Sequence, residues 1–387
     1  MYPQSKTLSS AMFQVFVYSR FFLVICVSFF SSGLCHAQQE LSYIFTAGQE
    51  GYACFRIPAV VTTGEGHLLA FAEGRKNGCS DTGAIDLVLK RSEDGGKSWG
   101  PLEIVWQDGD NTCGNPAPVV EQESGDILLL ATWNLGEDRE AEIIAQTSRD
   151  TRRVYLLRST DNGKSWGVPQ EITSDVKAEN WTWYATGPGS GIQLQQGPYS
   201  GRLMIACDHI EAETKKYYSH VIYSDDRGKN WQIGGITPKD QVNECEVVQL
   251  GDGKLLLNMR NYDRTKRSRQ LAYSHDGGNS WTDMQHSESL VEPICQASML
   301  RFDAEEDVYI LFSNPASTEG RVNMTLKANK NGGQDWQTIE QIHAGPSAYS
   351  DLVRLGEWQV GLLFEAGRQG PYEGVAWQQI DLQGRLP

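Results

Sequence analysis

An all-β fold, read as a six-bladed β-propeller closed by an N-terminal strand, is what this sequence predicts, and three observations predict it. An octapeptide, Ser-x-Asp-x-Gly-x-Ser/Asn-Trp, recurs at residues 92–99, 159–166, 224–231 and 274–281, with a degraded copy at 329–336 where Asn331 stands for the Asp. The copies start 50 to 67 residues apart, an interval that suits a four-stranded blade. Short apolar runs fall in pairs before each copy, and six such pairs can be counted along the chain.

The elements follow in order. Residues 21–30 form an apolar stretch, with Lys6 and Arg20 before them and Cys35-His36-Ala37 after. A ten-residue apolar stretch, with Ser28 inside it, is too short to span a bilayer, which takes roughly 20 residues. Residues 1–37 therefore read as an export signal cleaved after Ala37, and 38–387 as one domain, secreted or periplasmic. Leu34 is bulky where a lipoprotein would carry a small residue; an uncleaved anchor is the alternative. The strand pairs are 57–61 with 67–72, 117–120 with 127–132, 191–194 with 202–206, 245–250 with 254–259, 297–302 with 308–312, and 349–355 with 359–364. Third strands are expected at 85–89, 154–157, 220–223 and 374–380, and residues 41–45 are expected to complete the last blade. The octapeptide reads as the turn between a third and a fourth strand. Its Asp accepts bonds from its own turn and its Gly tolerates the tight backbone. A calcium-loop reading suits it less, because each copy has few acids.

Connectivity then sorts residues by rim. Octapeptide turns lie on one rim; starts of first strands, ends of second strands and starts of third strands lie on the other. Arg56 (in Phe55-Arg56-Ile57-Pro58), Arg260 (in Asn258-Met259-Arg260-Asn261) and Arg321 (in Gly320-Arg321-Val322-Asn323) all fall on that second rim. Any one alone reads as a surface arginine. Together they make a fixed-charge clamp for one carboxylate, since each planar guanidinium binds it in a fork and keeps its proton. Glu244 and Tyr349 precede first strands, Glu365 ends a second strand, and Arg75 and Asp81 lie in the first loop after a second strand. A substrate with a carboxylate on the carbon under attack repels an Asp or Glu nucleophile. A neutral phenol approaches more easily and is activated by an adjacent base. This gives Tyr349 as nucleophile, Glu244 as its base, Asp81 as general acid, and Glu365 as the group that holds Arg56. Asp86 is the alternative acid, but its strand context favours a structural role.

With these residues in hand, the chain resembles the exo-α-sialidases (neuraminidases) of the non-viral bacterial and animal type, glycoside hydrolase family 33-like, over roughly residues 43–380. The resemblance rests on Phe55-Arg56-Ile57-Pro58, Asn243-Glu244-Cys245 leading to Asn258-Met259-Arg260, Gly320-Arg321, Ala348-Tyr349-Ser350-Asp351 and the octapeptide, which is the Asp-box (BNR repeat) of that family. The octapeptide alone is less specific, since unrelated propellers carry it. The resemblance implies retaining hydrolysis of terminal α-linked sialic acids on glycoproteins, glycolipids or oligosaccharides, through a tyrosyl intermediate and with no cofactor or metal. A tyrosine nucleophile is this family's departure from the two-carboxylate scheme. It also implies that Arg75 faces the 4-hydroxyl or N-acyl side of the sugar. Trp181, Trp183 and Tyr184 either line the aglycone side or pack within the rim.

Charge and cysteines bound the rest. The net charge is −15, and loss of Lys6 and Arg20 with the signal takes it further negative. That disfavours nucleic acid and anionic membrane as partners. A monomer is expected. Six cysteines follow residue 37, all mapped to the Arg56 rim, and their spacing matches no zinc pattern. Cys79 and Cys113, in loops of neighbouring blades, are the expected disulfide. Competing readings are a sialic-acid-binding lectin, which would lack Tyr349, Glu244 or Asp81; an unrelated propeller scaffold, which needs no arginine clamp; and a transglycosylating relative with the same site.

Overall fold

The computed structural model describes residues 40–330, 332 and 335–387. The export signal expected at 1–37 and Asn331 lie outside these residues. The fold is all-β: strands make up four sheets, and the two described helices, Glu140–Ala145 and Thr173–Val176, are short. Nearly every strand pair is an antiparallel neighbour in sequence. Cys54–Thr62 pairs with Leu68–Arg75, which pairs with Ile85–Ser92, which pairs with Glu103–Trp106. The same pattern repeats from Thr112–Val120, from Val242–Gln249 and from Ser298–Ala304. Tyr43–Thr46 pairs with Gly374–Asp381, so the first described strand hydrogen-bonds to the last.

One expected strand is laid out differently. The run at 191–194 is only the two-residue strand Ile192–Gln193, and Leu203–Glu211 also pairs with Trp181–Thr186. The sequence hid this strand because both its faces are covered. All of Trp181–Thr186 is buried, so no polar alternation marks it.

Apolar side chains of neighbouring strand groups interlock in the core. Phe71, Leu87 and Leu129 pack together between the first two groups. Leu128, on the other face of its strand, packs with Ile205 and Ile222 of the next group. The same alternation explains why the first strands, covered on both sides, read as short apolar runs.

The octapeptide forms one repeated turn. In the first copy Asp94 accepts from the backbone N–H groups of Lys97 and Ser98 at 3.0 and 2.9 Å and from the Ser98 hydroxyl at 2.6 Å. Ser92 Oγ donates to Asp94 at 2.8 Å and accepts from the Gly96 N–H at 2.7 Å. Asp161, Asp226 and Asp276 are held the same way. These turns lie far from Arg75 by register: Leu68 faces Ser92 at one end of the hairpin and Arg75 faces Ile85 at the other.

The expected Cys79–Cys113 disulfide is corrected. Cys79 bonds to Cys54, and Cys113 is a free, buried thiol. Cys54 pairs opposite Arg75, so the loop after Arg75 returns over its own hairpin. Cys113 instead packs inward against the Phe71 layer.

Hydrogen bonds to its turn pull the Asp161 carboxyl from an ordinary 3.8 to about 2, the Ser165 hydroxyl contributing most. A carboxyl depressed in the folded state stabilises the fold above its unfolded pKa, and that contribution is lost as pH falls through the folded value. Asp161→Ala should therefore lower the melting temperature by about 2–4 °C at pH 7. The gap to the unaltered protein should narrow between pH 4 and pH 2. Circular dichroism melts showing a pH-independent gap would refute this account of the turn.

Candidate active site

First strands carry Arg56, Glu244 and Tyr349, and their backbones are bent where those residues occur. Register shifts fall between Arg56 and Ala59, Gly114 and Ala117, Val242 and Cys245, and Ser347 and Ser350. Such bulges add a residue and re-aim the side chains beside them. Ile57 takes φ +57 within the first of them, an uncommon value for a β-branched residue. Its backbone N–H then reaches Glu365 at 2.9 Å.

A cavity of about 230 Å³ opens at this end of the strands. Seven of the eight sequence-predicted residues line it: Arg56, Arg75, Asp81, Glu244, Arg260, Arg321 and Tyr349. Glu365 does not line it. It lies beneath, fully buried, and binds Arg56 through two bonds at 3.0 and 3.2 Å. Asp86 lies outside the cavity, paired with Tyr52 at 2.8 Å and Lys76 at 3.0 Å. A larger cavity of about 490 Å³ opens at the opposite ends of the first strands, near Val60, Val119 and Val248, and holds none of the predicted residues.

Tyr349 and Glu244 come together across the cavity wall. The Tyr349 hydroxyl donates to Glu244 Oε1 at 2.5 Å. Arg260 Nη1 donates to Glu244 Oε2 at 2.6 Å and to the Tyr349 hydroxyl at 3.1 Å. Burial, and then the Glu244 charge, push the Tyr349 phenol well above its ordinary range, against the opposing pull of Arg260, Arg56 and Arg321. The phenol is therefore protonated at neutral pH, and any use of its oxygen as a nucleophile needs a base. Glu244 is the carboxylate in contact with it.

The arginines differ in how they are matched. Arg56 is bonded to Glu365 and, at 3.3 Å, to Asp81. Arg75 is bonded to Glu73 at 2.6 Å and to Asp81 at 2.8 Å. Arg321 has no carboxylate partner among the described residues; it donates to the Tyr372 hydroxyl at 2.7 Å and to the Ile294 carbonyl at 3.3 Å. Asp81 is the most open of the group, its side chain 63% exposed. Its partial desolvation, which raises the pKa, is outweighed by Arg75 and Arg56, which lower it. Without a ligand, Asp81 is thus a carboxylate.

Sequence reasoning missed another part of the wall: Glu73, Asn115, Glu140, Arg152, Asp208, Asn243, Tyr262 and Tyr372. Arg152 is buried, stacked 4.0 Å over Trp183, and bonded to Thr132 at 2.8 Å, to Asn134 at 3.2 Å and to Asn115. Of the aromatic cluster, Trp183 lines the cavity, while Trp181 and Tyr184 pack in the core. The alternation of Trp183 and Ala185, which line the cavity, against Tyr184 was the available signal, had the strand been recognised; Trp181 departs from it across the register shift before Tyr184.

Residues 66–362 match the BNR repeat-like domain model. Human Sialidase-3 is 31% identical over 84% of this chain and 88% of its own length. The chain belongs to the sialidase family. A sialidase of Bacteroides fragilis is 31% identical over 83% of this chain, which spans 61% of that relative's length. The solved structure of the Hadza microbial sialidase Hz136 superposes with a TM-score of 0.80 at 30% identity, over 89% of this chain and 69% of that one. The span of the domain match includes Arg75, Asp81, Glu244, Arg260, Arg321 and Tyr349 of the cavity wall.

The protonated Tyr349 gives a check independent of any reaction. In an ultraviolet titration of the folded protein, the difference between the unaltered chain and Tyr349→Phe should stay flat through about pH 10, the ordinary range of a phenol. Ionisation of one tyrosine in that range in the difference would contradict the buried Tyr349–Glu244 contact.

Proposed function

We propose that this protein is an exo-α-sialidase that hydrolyses terminal α-linked sialic acids from glycoproteins, glycolipids or oligosaccharides, with retention through a covalent tyrosyl intermediate. The observation that carries this reading is the Tyr349 hydroxyl, 2.5 Å from Glu244 and 3.1 Å from Arg260, within an arginine-rimmed cavity. The small cavity, about 230 Å³, suits one terminal sugar better than the middle of a chain. We read the four sheets as six four-stranded blades around one axis, with Tyr43–Thr46 completing the last. Two junctions support this: a single parallel bridge between Ile85 and Thr112, and the long strand Gln337–Arg354 shared by two sheet segments. Residues 38–387 are then one catalytic domain, exported after loss of 1–37 and acting as a monomer.

On this reading Arg56, Arg260 and Arg321 clamp the sugar carboxylate, and Arg321, free of a carboxylate, supplies the least committed charge. Glu365 fixes Arg56, and Arg75 faces the sugar ring. The Tyr349 oxygen bonds to the anomeric carbon while its proton passes to Glu244. The bond to the aglycone oxygen breaks, and that oxygen takes a proton from Asp81. In the second step Asp81, now a carboxylate, takes a proton from water as the water oxygen bonds to the same carbon. The tyrosyl bond breaks and Tyr349 recovers its proton from Glu244. No cofactor enters.

Asp81 must bind a proton before the first step, although Arg75 and Arg56 hold it ionised in the empty site. A bound carboxylate offsets the charge of Arg56, and the aglycone covers Asp81 from water. Both raise its pKa. The alkaline limb belonging to Asp81 should then lie at higher pH in kcat, which reports the complex, than in kcat/KM, which reports the free protein. Identical limbs in the two profiles would remove Asp81 from the role of acid.

The decisive assay follows release from a chromogenic α-sialoside beside the matching β-galactoside, with NMR of the product. The α-anomer of sialic acid should appear first, and the galactoside should be inert. Tyr349→Phe should cut kcat at least about 100-fold, with Glu244→Gln resembling it. Arg321→Ala should raise KM and lower kcat/KM by roughly 10–200-fold. A β-anomer as first product, or near-normal kcat in Tyr349→Phe, would defeat the mechanism.

A further inference from the structure

We propose that Lys177, which does not line the cavity, is a positioning residue that fixes the Arg152–Trp183 wall of the site by tying together the two backbone segments that carry it. The proposal rests on reading that cavity as the sugar pocket. Lys177 Nζ donates at 2.7 Å to each of three acceptors: the Arg152 carbonyl, the Thr182 carbonyl and the Thr151 hydroxyl. Thr182 directly precedes Trp183, and Thr151 directly precedes Arg152. The amine is therefore bonded to the backbone of one wall residue and to the residue next to the other. The two wall side chains themselves meet 4.0 Å apart, guanidinium over indole.

The need for such a tie follows from Arg152. Its guanidinium is buried and is bonded to no carboxylate among the described residues; its partners are Asn134, Asn115 and Thr132. Its Nε has no partner among the described residues. A buried cation bonded only to neutral oxygens depends on those bonds keeping their geometry, and the backbone that carries Arg152 sets that geometry.

Lys177 is itself unusual. It is 8% exposed and has no carboxylate in contact among the described residues, so its charge serves no ion pair there. Burial and then Arg152 bring its pKa from 10.5 down to about 7, with Arg153 acting in the same direction and Asp150 opposing. The tie survives loss of a proton. As an ammonium, Nζ donates to all three oxygens. As an amine it still donates to both carbonyls, and the Thr151 hydroxyl, which can donate as well as accept, turns its own proton to the lone pair.

The test separates this tie from simple packing. Lys177→Met fills the space and removes the donor that both carbonyls share, leaving the Thr182 carbonyl only the Thr151 hydroxyl at 3.4 Å. It should raise KM for the α-sialoside about tenfold while kcat falls less than about threefold. Lys177→Gln retains two N–H donors without charge and should bring KM back to within about threefold of the unaltered protein. Equal KM values in the Met and Gln variants, whether both raised or both normal, would overturn the proposal. If Lys177→Met does not fold, Lys177→Gln decides alone: near-normal KM supports the tie, and a tenfold rise in the folded variant overturns it. If the unaltered protein does not cleave the sialoside, the functional reading fails separately. Hydrogen exchange of residues 151–154 and 181–184 then tests the tie without a ligand, with exchange about tenfold faster in the Met variant and not in the Gln variant as the expected result. Unchanged exchange in the Met variant would overturn it.

Discussion

The buried carboxylate of Glu365 is the point on which the site depends. It is fully buried and accepts four bonds: two from Arg56, one from the Ile57 N–H at 2.9 Å and one from the Tyr349 N–H at 3.1 Å. Arg56 and Tyr349 lie near opposite ends of the described chain, yet this one group fixes the guanidinium of the first and the backbone of the second. A buried carboxylate without partners would be strongly unfavourable, and so would the buried Arg56 without Glu365; removal of one partner of such a pair costs about 3–5 kcal/mol. The strained φ of Ile57 belongs to the same arrangement, because it turns the N–H onto Glu365. Glu365 thus joins two distant stretches of the chain and the site geometry in a single contact, although it never reaches the cavity.

The bulges have a comparable role. A regular strand sends successive side chains to opposite faces. The rim instead needs Asn243 and Glu244 both turned to the cavity, and Arg56 and Ile57 likewise, and all four line it. The register shifts at these positions supply that departure. At the other ends of the same strands, where the octapeptide turns lie, the requirement is different. Serine, aspartate and glycine close each turn with bonds inside the motif, so those ends can repeat almost unchanged while the rim ends diverge.

That contrast explains what was legible in the sequence. The octapeptide is local, so its chemistry can be read from eight consecutive residues, and it set the repeat and the sorting of residues by rim. The same sorting brought seven of the eight predicted residues to one cavity. Trp181–Thr186 escaped because burial on both faces erases alternation. Arg152 and Asp208 escaped because nothing in their neighbourhood distinguishes a cavity residue from a core one until the strands are paired. The disulfide failed for a related reason. Cys79 lies in a loop whose direction the sequence does not set, and the pairing of Cys54 with Arg75 brings the nearer partner within the same hairpin.

Charge matching within the cavity distinguishes its two ends. Arg56, Arg75 and Arg260 each have a carboxylate in contact: Glu365, Glu73 and Glu244. Arg321 and Arg152 have none among the described residues, and they belong to different parts of the wall. The chain as a whole carries −15, so its average field repels anions. An anionic ligand is attracted only where guanidinium charge is left uncompensated and water is scarce. Arg321, beside Tyr349 and Tyr372, meets that condition next to the Tyr349–Glu244 contact. Arg152 meets it against Trp183, where an uncharged acceptor on the ligand would serve, because its three bonded partners are neutral oxygens of the same kind. A ligand carboxylate placed at the Arg321 end would leave the rest of the ligand facing Arg152 and Trp183, and the reverse placement would set it near Glu73, whose charge acts on Arg152.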